Sequence, residues 1–264
     1  MDKEKRHIAL KTENLSIGYK SKKENLVVAK NVNFNLSKGE LAAIVGVNGI
    51  GKSTLLRTLG KVQPMLSGEI EIGGNPLAFY RPLELASKIS LVLTEPIASK
   101  NLTVLELVAL GRQPYTNWIG KLSSEDKLKI DTALKMLELD DMKHKKCHEL
   151  SDGQLQRVLI SRALAQDTAI ILLDEPTTHL DLYHKVQILK LLKSIAHKIK
   201  KTILFTTHEI EMAIQMCDKM LLLDNDANPF GRPAELIEQR AFERLFPAET
   251  VSFDPQTGSF RIKK

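Results

Sequence analysis

Residues 46–54 have the sequence GVNGIGKST, which fits the pattern G-x-x-x-x-G-K-[ST] of a loop that binds phosphate groups. The loop follows the apolar run LAAIVGV, which predicts a strand buried on both faces, and precedes TLLRTLG, which predicts a helix. Glycines let the backbone amides turn towards phosphate oxygens, and the helix start adds its positive end. A glycine-rich turn that matches by chance would lack this context. The motif therefore predicts an α/β fold with the parallel sheet of a P-loop NTPase core.

The side chains of this loop have separate predicted roles. Lys52 is expected to reach the β- and γ-phosphates of a nucleotide, and the Ser53 hydroxyl is expected to bind Mg²⁺. The predicted nucleotide contacts of the loop are Gly46, Asn48, Gly49, Gly51, Lys52, Ser53 and Thr54.

Two further predicted strands end in polar side chains suited to hydrolysis. AIILLDEP at 169–176 contains Asp174 and Glu175, and LFTTH at 204–208 ends in His208. Ligands bind at the carboxyl ends of the strands in an open parallel sheet. Asp174 is therefore expected to help hold Mg²⁺, and Glu175 to act as the general base on the attacking water. His208 is expected to hydrogen-bond the γ-phosphate. The alternative is that the two carboxylates lie in a solvated acidic turn. The phosphate loop upstream favours the functional interpretation over this alternative.

Between about residues 101 and 165 the sequence predicts helices. Thr103 and Glu106 form a capping box, and Gly111 is expected to cap the carboxyl end of that helix. A second helix is predicted for 125–139, with one apolar face formed by Ile130, Leu134 and Leu137.

Strand patterns occupy the chain before this block and alternate with helices after it, which predicts a parallel core interrupted by an insertion. The tail ETVSFDPQTGSFRIKK predicts a hairpin. We predict one domain, 1–264. Its parts are a nucleotide-binding core (1–94 and 166–240), a helical subdomain (95–165) and a C-terminal extension (241–264).

Composition excludes several classes of protein. No apolar run approaches the ~20 residues that cross a bilayer, and the first residues lack the apolar stretch of a secretory signal. Cys147 and Cys217 form no disulfide framework, so we expect reduced thiols in the cytosol. The net charge is +6, but basic clusters such as KSKK at 20–23 lack interleaved aromatic residues, so nucleic acid is not the expected partner. HKKCH at 144–148 has no second ligand cluster and is not predicted to bind metal.

These motifs, in this order and with LSDGQLQR between them, resemble the nucleotide-binding subunit of ABC transporters over about residues 12–238. The resemblance implies the ABC ATPase fold, with an N-terminal antiparallel β subdomain and an inserted α-helical subdomain. It also implies that Tyr19 stacks on adenine and that Asp181 lies in the loop that crosses to a second subunit. Ser151, Gly153 and Gln154 match the family's signature loop, here residues 151–154.

The sequence departs from the family pattern at two places. The signature loop has Asp152 where glycine is usual, so this carboxylate is expected to point away from phosphate. The family also has a glutamine after the strand SLVL, where it links Mg²⁺ and the attacking water to the membrane partner. That position falls on Thr94 or Glu95. Glu95 could contact Mg²⁺, Thr94 could stand in, or neither residue replaces the glutamine.

The signature loop raises the question of which phosphate it meets. Ser151 and Gln154 form a capping-box pair at the start of a helix whose amides can face a phosphate. The first loop already holds the chain's own nucleotide elsewhere. We therefore predict an ATP-sandwich dimer, in which Ser151 and Gly153 of one copy approach the γ-phosphate held by Lys52 of the other.

The stretch LVALGRQPYTNWIGKLSSED at 107–126 resembles the subgroup that powers import of iron–siderophore complexes, haem or cobalamin. This resemblance implies separate membrane permease subunits, an extracytoplasmic substrate-binding protein, and a location at the cytoplasmic face of the plasma membrane. One alternative is a soluble ABC ATPase that assembles cofactors or clusters without a permease. Another is a P-loop kinase, which would have no use for the signature loop.

Overall fold

A computed structural model of the chain describes residues 7–22, 24–95, 99–224, 226–247 and 249–263. Residues 1–6, on which the expectation about a secretory signal partly rests, lie outside the described residues, as does Lys23 of the basic cluster at 20–23. In the described part of the chain, no helix combines the length and apolar character needed to cross a membrane.

The strands are β1 (Ile8–Tyr19), β2 (Leu26–Ser37), β3 (Leu41–Val45), β4 (Ser67–Ile72), β5 (Asn75–Pro76), β6 (Ile89–Val92), β7 (Ile170–Leu173), β8 (Thr202–Thr206), β9 (Lys219–Leu222), β10 (Phe230–Gly231), β11 (Val251–Asp254) and β12 (Ser259–Ile262). The α-helices are α1 (Lys52–Leu59), α2 (Pro82–Ala86), α3 (Val104–Ala109), α4 (Ser124–Met136), α5 (Asp152–Ala165), α6 (Leu182–Ile199), α7 (Ile210–Met216) and α8 (Pro233–Glu238). Short 3₁₀ helices lie at Leu77–Phe79, Leu110–Tyr115, Asp140–Met142, Cys147–Glu149 and Ala241–Arg244.

The central sheet has the order β10-β9-β3-β8-β7-β6, and its strands are parallel except for β10. Every residue of β3, β7 and β8 is buried, as expected for strands covered on both faces. The carboxyl ends of β3, β6, β7 and β8 meet at one edge. The segments that follow these strands carry the polar residues predicted to act in hydrolysis.

A second, antiparallel sheet has the order β2-β1-β4-β5 and forms the N-terminal subdomain. Its buried residues share a core with α1 and with the face of the central sheet that turns towards it. Together with the central parallel sheet and the helices between residues 101 and 165, this sheet confirms the predicted fold class. The residue limits of the predicted subdomains stay a prediction.

The helical region confirms the predicted helices but corrects two of their ends. Gly111 does not cap α3, because the chain continues into the 3₁₀ helix Leu110–Tyr115. A Cβ at Gly111 would lie 2.2 Å from the carbonyl oxygen of Arg162, so glycine is required there for close packing against α5. The helix predicted for 125–139 ends at Met136, and Glu138 adopts the left-handed conformation with φ of 56°.

The C-terminal hairpin is also confirmed. Strands β11 and β12 pair in antiparallel register, and Phe253 lies opposite Phe260. Phe253 stacks on the fully buried ring of Phe242 with centroids 5.0 Å apart, which attaches the hairpin to the main core.

Arg112 joins three parts of the helical region from a buried position. Its Nε donates to Asp126 Oδ1 at 2.8 Å, and its Nη1 donates to the carbonyl oxygens of Ala165 (2.9 Å) and Gln166 (3.4 Å) at the end of α5. The Tyr115 ring lies 4.0 Å from the guanidinium. The Arg112 junction, which comprises these five residues, therefore places a cation at the negative end of the α5 dipole.

Asp126 is also the partner of the helix cap that starts α4. Its Oδ2 accepts hydrogen bonds from the backbone amide and hydroxyl of Ser123, at 2.8 and 2.7 Å. These bonds, and then the bond and charge of Arg112, lower the pKa of Asp126 to about 2. The junction thus ties the start of α4 to the end of α5.

Breaking this junction is expected to destabilise the fold. Arg112→Met should lower the free energy of unfolding by about 3 kcal/mol, because it leaves Asp126 buried and charged without its partner. Urea unfolding measures the change, and Glu84→Gln in the exposed Arg81–Glu84 pair is the control, for which little change is expected. An equal loss of unfolding free energy in the two variants would show that burial does not increase the contribution of the Arg112–Asp126 pair to stability.

The lowered pKa of Asp126 also predicts acid sensitivity. Its folded-state pKa lies below the ordinary carboxyl value of about 4, so its stabilisation is present above that value and is lost as pH falls towards about 2. Asp126→Asn should be less stable near neutral pH and should show a shallower loss of stability across this acid range.

Candidate functional site

The phosphate loop connects β3 to α1, and Gly51 immediately precedes the helix. Gly51 has φ of 111°, and a Cβ there would lie 2.3 Å from the side chain of Val28. Both the backbone conformation and the space therefore require glycine. Lys52, the first residue of α1, is 5% exposed and donates from Nζ to the carbonyl oxygens of Gly46 (2.9 Å) and Val47 (3.1 Å). Burial lowers the pKa of Lys52, and the charges of Glu175 and Asp174 oppose this shift.

Asp174, directly after β7, is the common acceptor of the site. Its Oδ1 accepts from the Ser53 hydroxyl at 2.9 Å and from the Thr206 hydroxyl at 2.7 Å, and its Oδ2 accepts from the Thr94 hydroxyl at 3.3 Å. The residue is 3% exposed. Three strand ends and the phosphate loop therefore converge on one buried carboxylate. Ser53 is predicted from the sequence, whereas Thr206 is not, and its position at the end of β8 was the available signal.

Lys52, His208 and Glu175 form a continuous chain of contacts. Lys52 Nζ lies 3.3 Å from His208 Nδ1, and His208 Nε2 contacts Glu175 Oε1. An ammonium group can only donate, so Nδ1 must accept and Nε2 must carry the proton that faces Glu175. The three residues predicted to be catalytic are thus brought together, and the histidine lies between the lysine and the carboxylate.

The backbone and the second oxygen of Glu175 are also held in place. Its amide donates to the Thr206 hydroxyl at 2.8 Å, and its Oε2 accepts from the Thr178 hydroxyl at 2.9 Å. Glu175 has φ of 47°, an uncommon value for a residue other than glycine. Such strain persists where surrounding contacts fix it, and it is frequent at functional sites.

The two candidates for the position of the missing glutamine have different surroundings. Thr94 contacts Asp174, as described above. Glu95 instead accepts a hydrogen bond from Arg57 Nη2 of α1 at 2.9 Å, and 64% of its side chain is exposed. The structure therefore brings Thr94, and not Glu95, into contact with the predicted metal-binding carboxylate.

Tyr19, the last residue of β1, lies beside the phosphate loop. Its hydroxyl is 3.4 Å from the Thr54 hydroxyl, and the residue is 49% exposed. A half-exposed ring at the rim of the loop is suited to stack on a base, and the contact with adenine stays a prediction.

The signature loop and Asp181 lie together on an exposed surface. Ser151 and Gln154 make the predicted reciprocal cap, with Gln154 N–H to Ser151 Oγ at 3.3 Å and Ser151 N–H to Gln154 Oε1 at 3.0 Å. Asp181 caps α6 by accepting from the backbone amide of His184 at 2.9 Å, and a Cβ on Gly153 would lie 3.4 Å from the His184 ring. In the described part of the chain no hydrogen bond or ion pair joins residues 151–154 to residues 46–54.

Asp152 is an exposed residue in the first turn of α5. A carboxylate at that position stabilises the amino end of a helix through the helix dipole. This local role gives a physical reason for the departure from glycine.

Comparison with known proteins places these features in a family. The sequence matches the family described as ABC transporter over residues 29–178. It is 37% identical over 253 residues to "Probable siderophore transport system ATP-binding protein YusV" of Bacillus subtilis (strain 168), covering 95% of this chain and 90% of that protein.

Two solved structures are similar in fold and in sequence. The structure described as "An inward-facing conformation of a putative metal-chelate type ABC transporter" aligns with a TM-score of 0.78 and 32% identity, over 96% of this chain and 95% of that one. The dimeric post-hydrolysis state of the ATP-binding cassette MJ0796, bound to ADP and Pi, aligns with a TM-score of 0.72 and 33% identity, over 85% and 98%.

The contrast between Thr94 and Glu95 generates a prediction. Thr94→Val removes the hydroxyl that binds Asp174, so it should lower the ATPase rate about fivefold and raise the Mg²⁺ concentration needed for half-maximal rate. Thr94→Ser keeps the hydroxyl and should retain most of the rate. Steady-state phosphate release measures both quantities, with Lys52→Ala as the reference for a lost nucleotide site.

Glu95→Gln is the matched variant at the neighbouring position. It should leave the Mg²⁺ requirement unchanged, because Glu95 is held by Arg57. A raised ATPase rate or a lowered Mg²⁺ requirement for Glu95→Gln, which restores the family's glutamine, together with normal behaviour of Thr94→Val, would assign the glutamine's place to Glu95.

Proposed function

This chain belongs to the ABC transporter family as an ATP-binding subunit, and on that premise we propose that it powers import of a metal chelate, foremost an iron–siderophore complex, through a separate membrane permease. The observation that carries the proposal is a groove beside the Arg112 junction, between Leu83 of α2 and the helical subdomain that carries the signature loop, with exposed apolar side chains among its polar lining residues. The groove supplies a surface for a membrane partner, and the site described above supplies the ATP hydrolysis.

Each residue of the proposed hydrolytic site has one task. Lys52 exchanges its bonds to the carbonyl oxygens of Gly46 and Val47 for bonds to the β- and γ-phosphates, which are stronger because the acceptor is charged. Glu175 takes the proton of the attacking water. His208 donates from Nε2, and its proton can serve a γ-phosphate oxygen in place of Glu175. Tyr19 stacks on the adenine ring.

The donor groups around Asp174 fit Mg²⁺. This ion prefers oxygen ligands and keeps several waters, so one hydroxyl and one carboxylate are a sufficient protein contribution. Ser53 and Asp174 would hold the ion, and the Thr94 and Thr206 hydroxyls fix the carboxylate. When bound, the ion supplies neutralisation of charge on the phosphate oxygens.

The proposed active form contains two copies of the chain. In the part of the chain that the structure describes, no hydrogen bond or ion pair joins Ser151, Gly153 or Gln154 to the chain's own phosphate loop, and these residues lie at the surface with Asp181. The phosphate loop of a second copy would bring its bound phosphate to the amino end of α5, where the helix dipole favours an anion. The dimeric cassette bound to ADP and Pi, described above, supports this arrangement for a related protein.

The groove has a volume of about 640 Å³ and is lined by Leu83, Leu110, Gln113, Pro114, Trp118 and Arg162, among others. Trp118 is 93% exposed and Leu83 is 70% exposed, and Phe79 nearby in sequence is 77% exposed. Exposed apolar clusters of this kind mark interaction surfaces. We propose that a cytoplasmic segment of the permease docks here, which places the chain at the cytoplasmic face of the membrane.

The proposed substrate rests on the relatives. One is a siderophore transport ATP-binding protein by name and another is part of a metal-chelate type transporter. Haem and cobalamin are the other chelates that the sequence resemblance allows. An extracytoplasmic binding protein would select among them, because the ATPase itself does not contact the transported molecule.

Glu175→Gln is expected to separate ATP binding from hydrolysis. The variant should bind ATP with near-normal affinity and hydrolyse it at least about 100-fold more slowly, because it lacks the general base. It should also accumulate as a dimer in ATP, measured by light scattering. Adding Ser151→Arg should abolish that dimer, since the signature loop of one copy meets the phosphate of the other. Normal turnover by Glu175→Gln would move the base to another residue.

The transport function is tested by uptake in cells that lack the chain. Uptake of radiolabelled ferric siderophore should be lost, restored by the wild-type chain and not restored by Glu175→Gln, while uptake of haem and cobalamin is measured in parallel. Trp118→Asp should prevent co-purification with the permease, whereas Leu128→Asp, at an exposed apolar position outside the groove lining, is the control. Unchanged uptake of all three chelates, with no polytopic protein co-purified, would favour a soluble assembly ATPase.

A further inference from the structure

The C-terminal hairpin, β11 with β12, packs against the helix that follows His208. We propose that this hairpin positions His208 for hydrolysis by bracing α7, and that Glu211 is the positioning residue that links them. The inference rests on the role proposed above for His208, and it assigns a function to the C-terminal extension.

The hairpin has a fixed place because aromatic rings anchor it. An isolated two-stranded hairpin is at best marginally stable in water. Here Phe253 and Phe260 face each other at 5.1 Å, Phe253 stacks on Phe242 at 5.0 Å, and Phe246 meets Phe260 edge-on at 5.1 Å. Since Phe242 is fully buried in the main core, the hairpin is held against the body of the protein.

The anchored hairpin is hydrogen-bonded to α7 at one point and passes close to it at another. The backbone amide of Phe260 donates to Glu211 Oε1 at 2.9 Å. At the hairpin turn, a Cβ on Gly258 would lie 3.5 Å from the Ile214 side chain. Glu211 and Ile214 are about one helical turn apart on α7. The hairpin therefore restrains both the position of α7 along its axis and its rotation about that axis.

Helix α7 depends on such contacts, because Ile210–Met216 is less than two full turns and short helices are marginal without tertiary support. Its amino end has no side-chain cap, and the Ile210 amide bonds instead to the carbonyl oxygen of His208 at 3.0 Å. Lys185 of α6 pairs with Glu209 from the other side. The His208 backbone is therefore part of the first turn that these neighbours position.

The effect on His208 is indirect. A cavity of about 330 Å³ lies between the segment 208–212 and the hairpin, and Phe260 and Ile262 are among its lining residues. Because His208 must meet both Lys52 and Glu175, a small shift of α7 would misalign it. Reaction rates fall steeply with such displacement. Among the described residues no hydrogen bond or ion pair joins α7 to the phosphate loop or to Tyr19, so ATP binding should be affected less than hydrolysis.

The test compares two substitutions at one position in the full-length chain. Glu211→Leu removes the acceptor of the Phe260 amide and should lower kcat about fivefold, with less than a twofold change in ATP affinity. Glu211→Gln keeps a carbonyl oxygen at that position and should retain most of the wild-type kcat. Glu243→Leu, at an exposed glutamate of the neighbouring 3₁₀ helix, is the control for a lost surface charge.

Phosphate release gives kcat, and titration with a fluorescent ATP analogue gives affinity. Wild-type kcat in Glu211→Leu, or an equal loss in Glu211→Gln and Glu211→Leu, would overturn the inference. Glu175→Gln is run in parallel: if it turns over normally, the proposed hydrolytic site is wrong, whatever the hairpin variants do. If it is inactive while Glu211→Leu is normal, only the role of the hairpin is wrong.

Discussion

The carboxylate of Asp174 is the point on which the site depends. It accepts hydrogen bonds from the hydroxyls of Ser53 in the phosphate loop, Thr206 at the end of β8 and Thr94 just after β6. A buried carboxylate is costly unless donors surround it, so these segments can close on one another only in the arrangement that satisfies it. The same contacts fix the geometry in which Lys52, His208 and Glu175 meet. The hydrogen bonds that stabilise this edge of the sheet therefore also hold the residues of the site in position.

Much of this site is predictable from sequence because its parts are local. The phosphate loop, the pair Asp174–Glu175 and the cap between Ser151 and Gln154 each consist of neighbouring residues, and each was found where its strand or helix begins or ends. The same applies to the capping box at Thr103. Local chemistry decides these features, so a single sequence carries them.

Other features depend on which elements become neighbours, and these were not predictable. Thr94 and Thr206 reach Asp174 only because β6, β7 and β8 are adjacent in the sheet. Gly111 was predicted as a helix cap, but its real constraint is the approach of α5, a contact between residues far apart in sequence. The role of Arg112 could not be predicted for the same reason. In the sequence, GRQPY carries only a resemblance to a transporter subgroup. In the structure, Arg112 forms a buried ion pair with Asp126 and caps the carboxyl end of α5.

The Arg112 junction also determines how motion can pass through the helical region. Helix α5 has 14 residues and is therefore about 21 Å long. Its amino end carries the signature loop, and its carboxyl end is held by Arg112 beside the groove. Because α5 is one continuous helix, a displacement of its carboxyl end is transmitted to its amino end. If the permease docks in this groove as proposed, a movement of the groove is transmitted through α5 to the signature loop, which couples the proposed docking to the proposed closure over a second nucleotide.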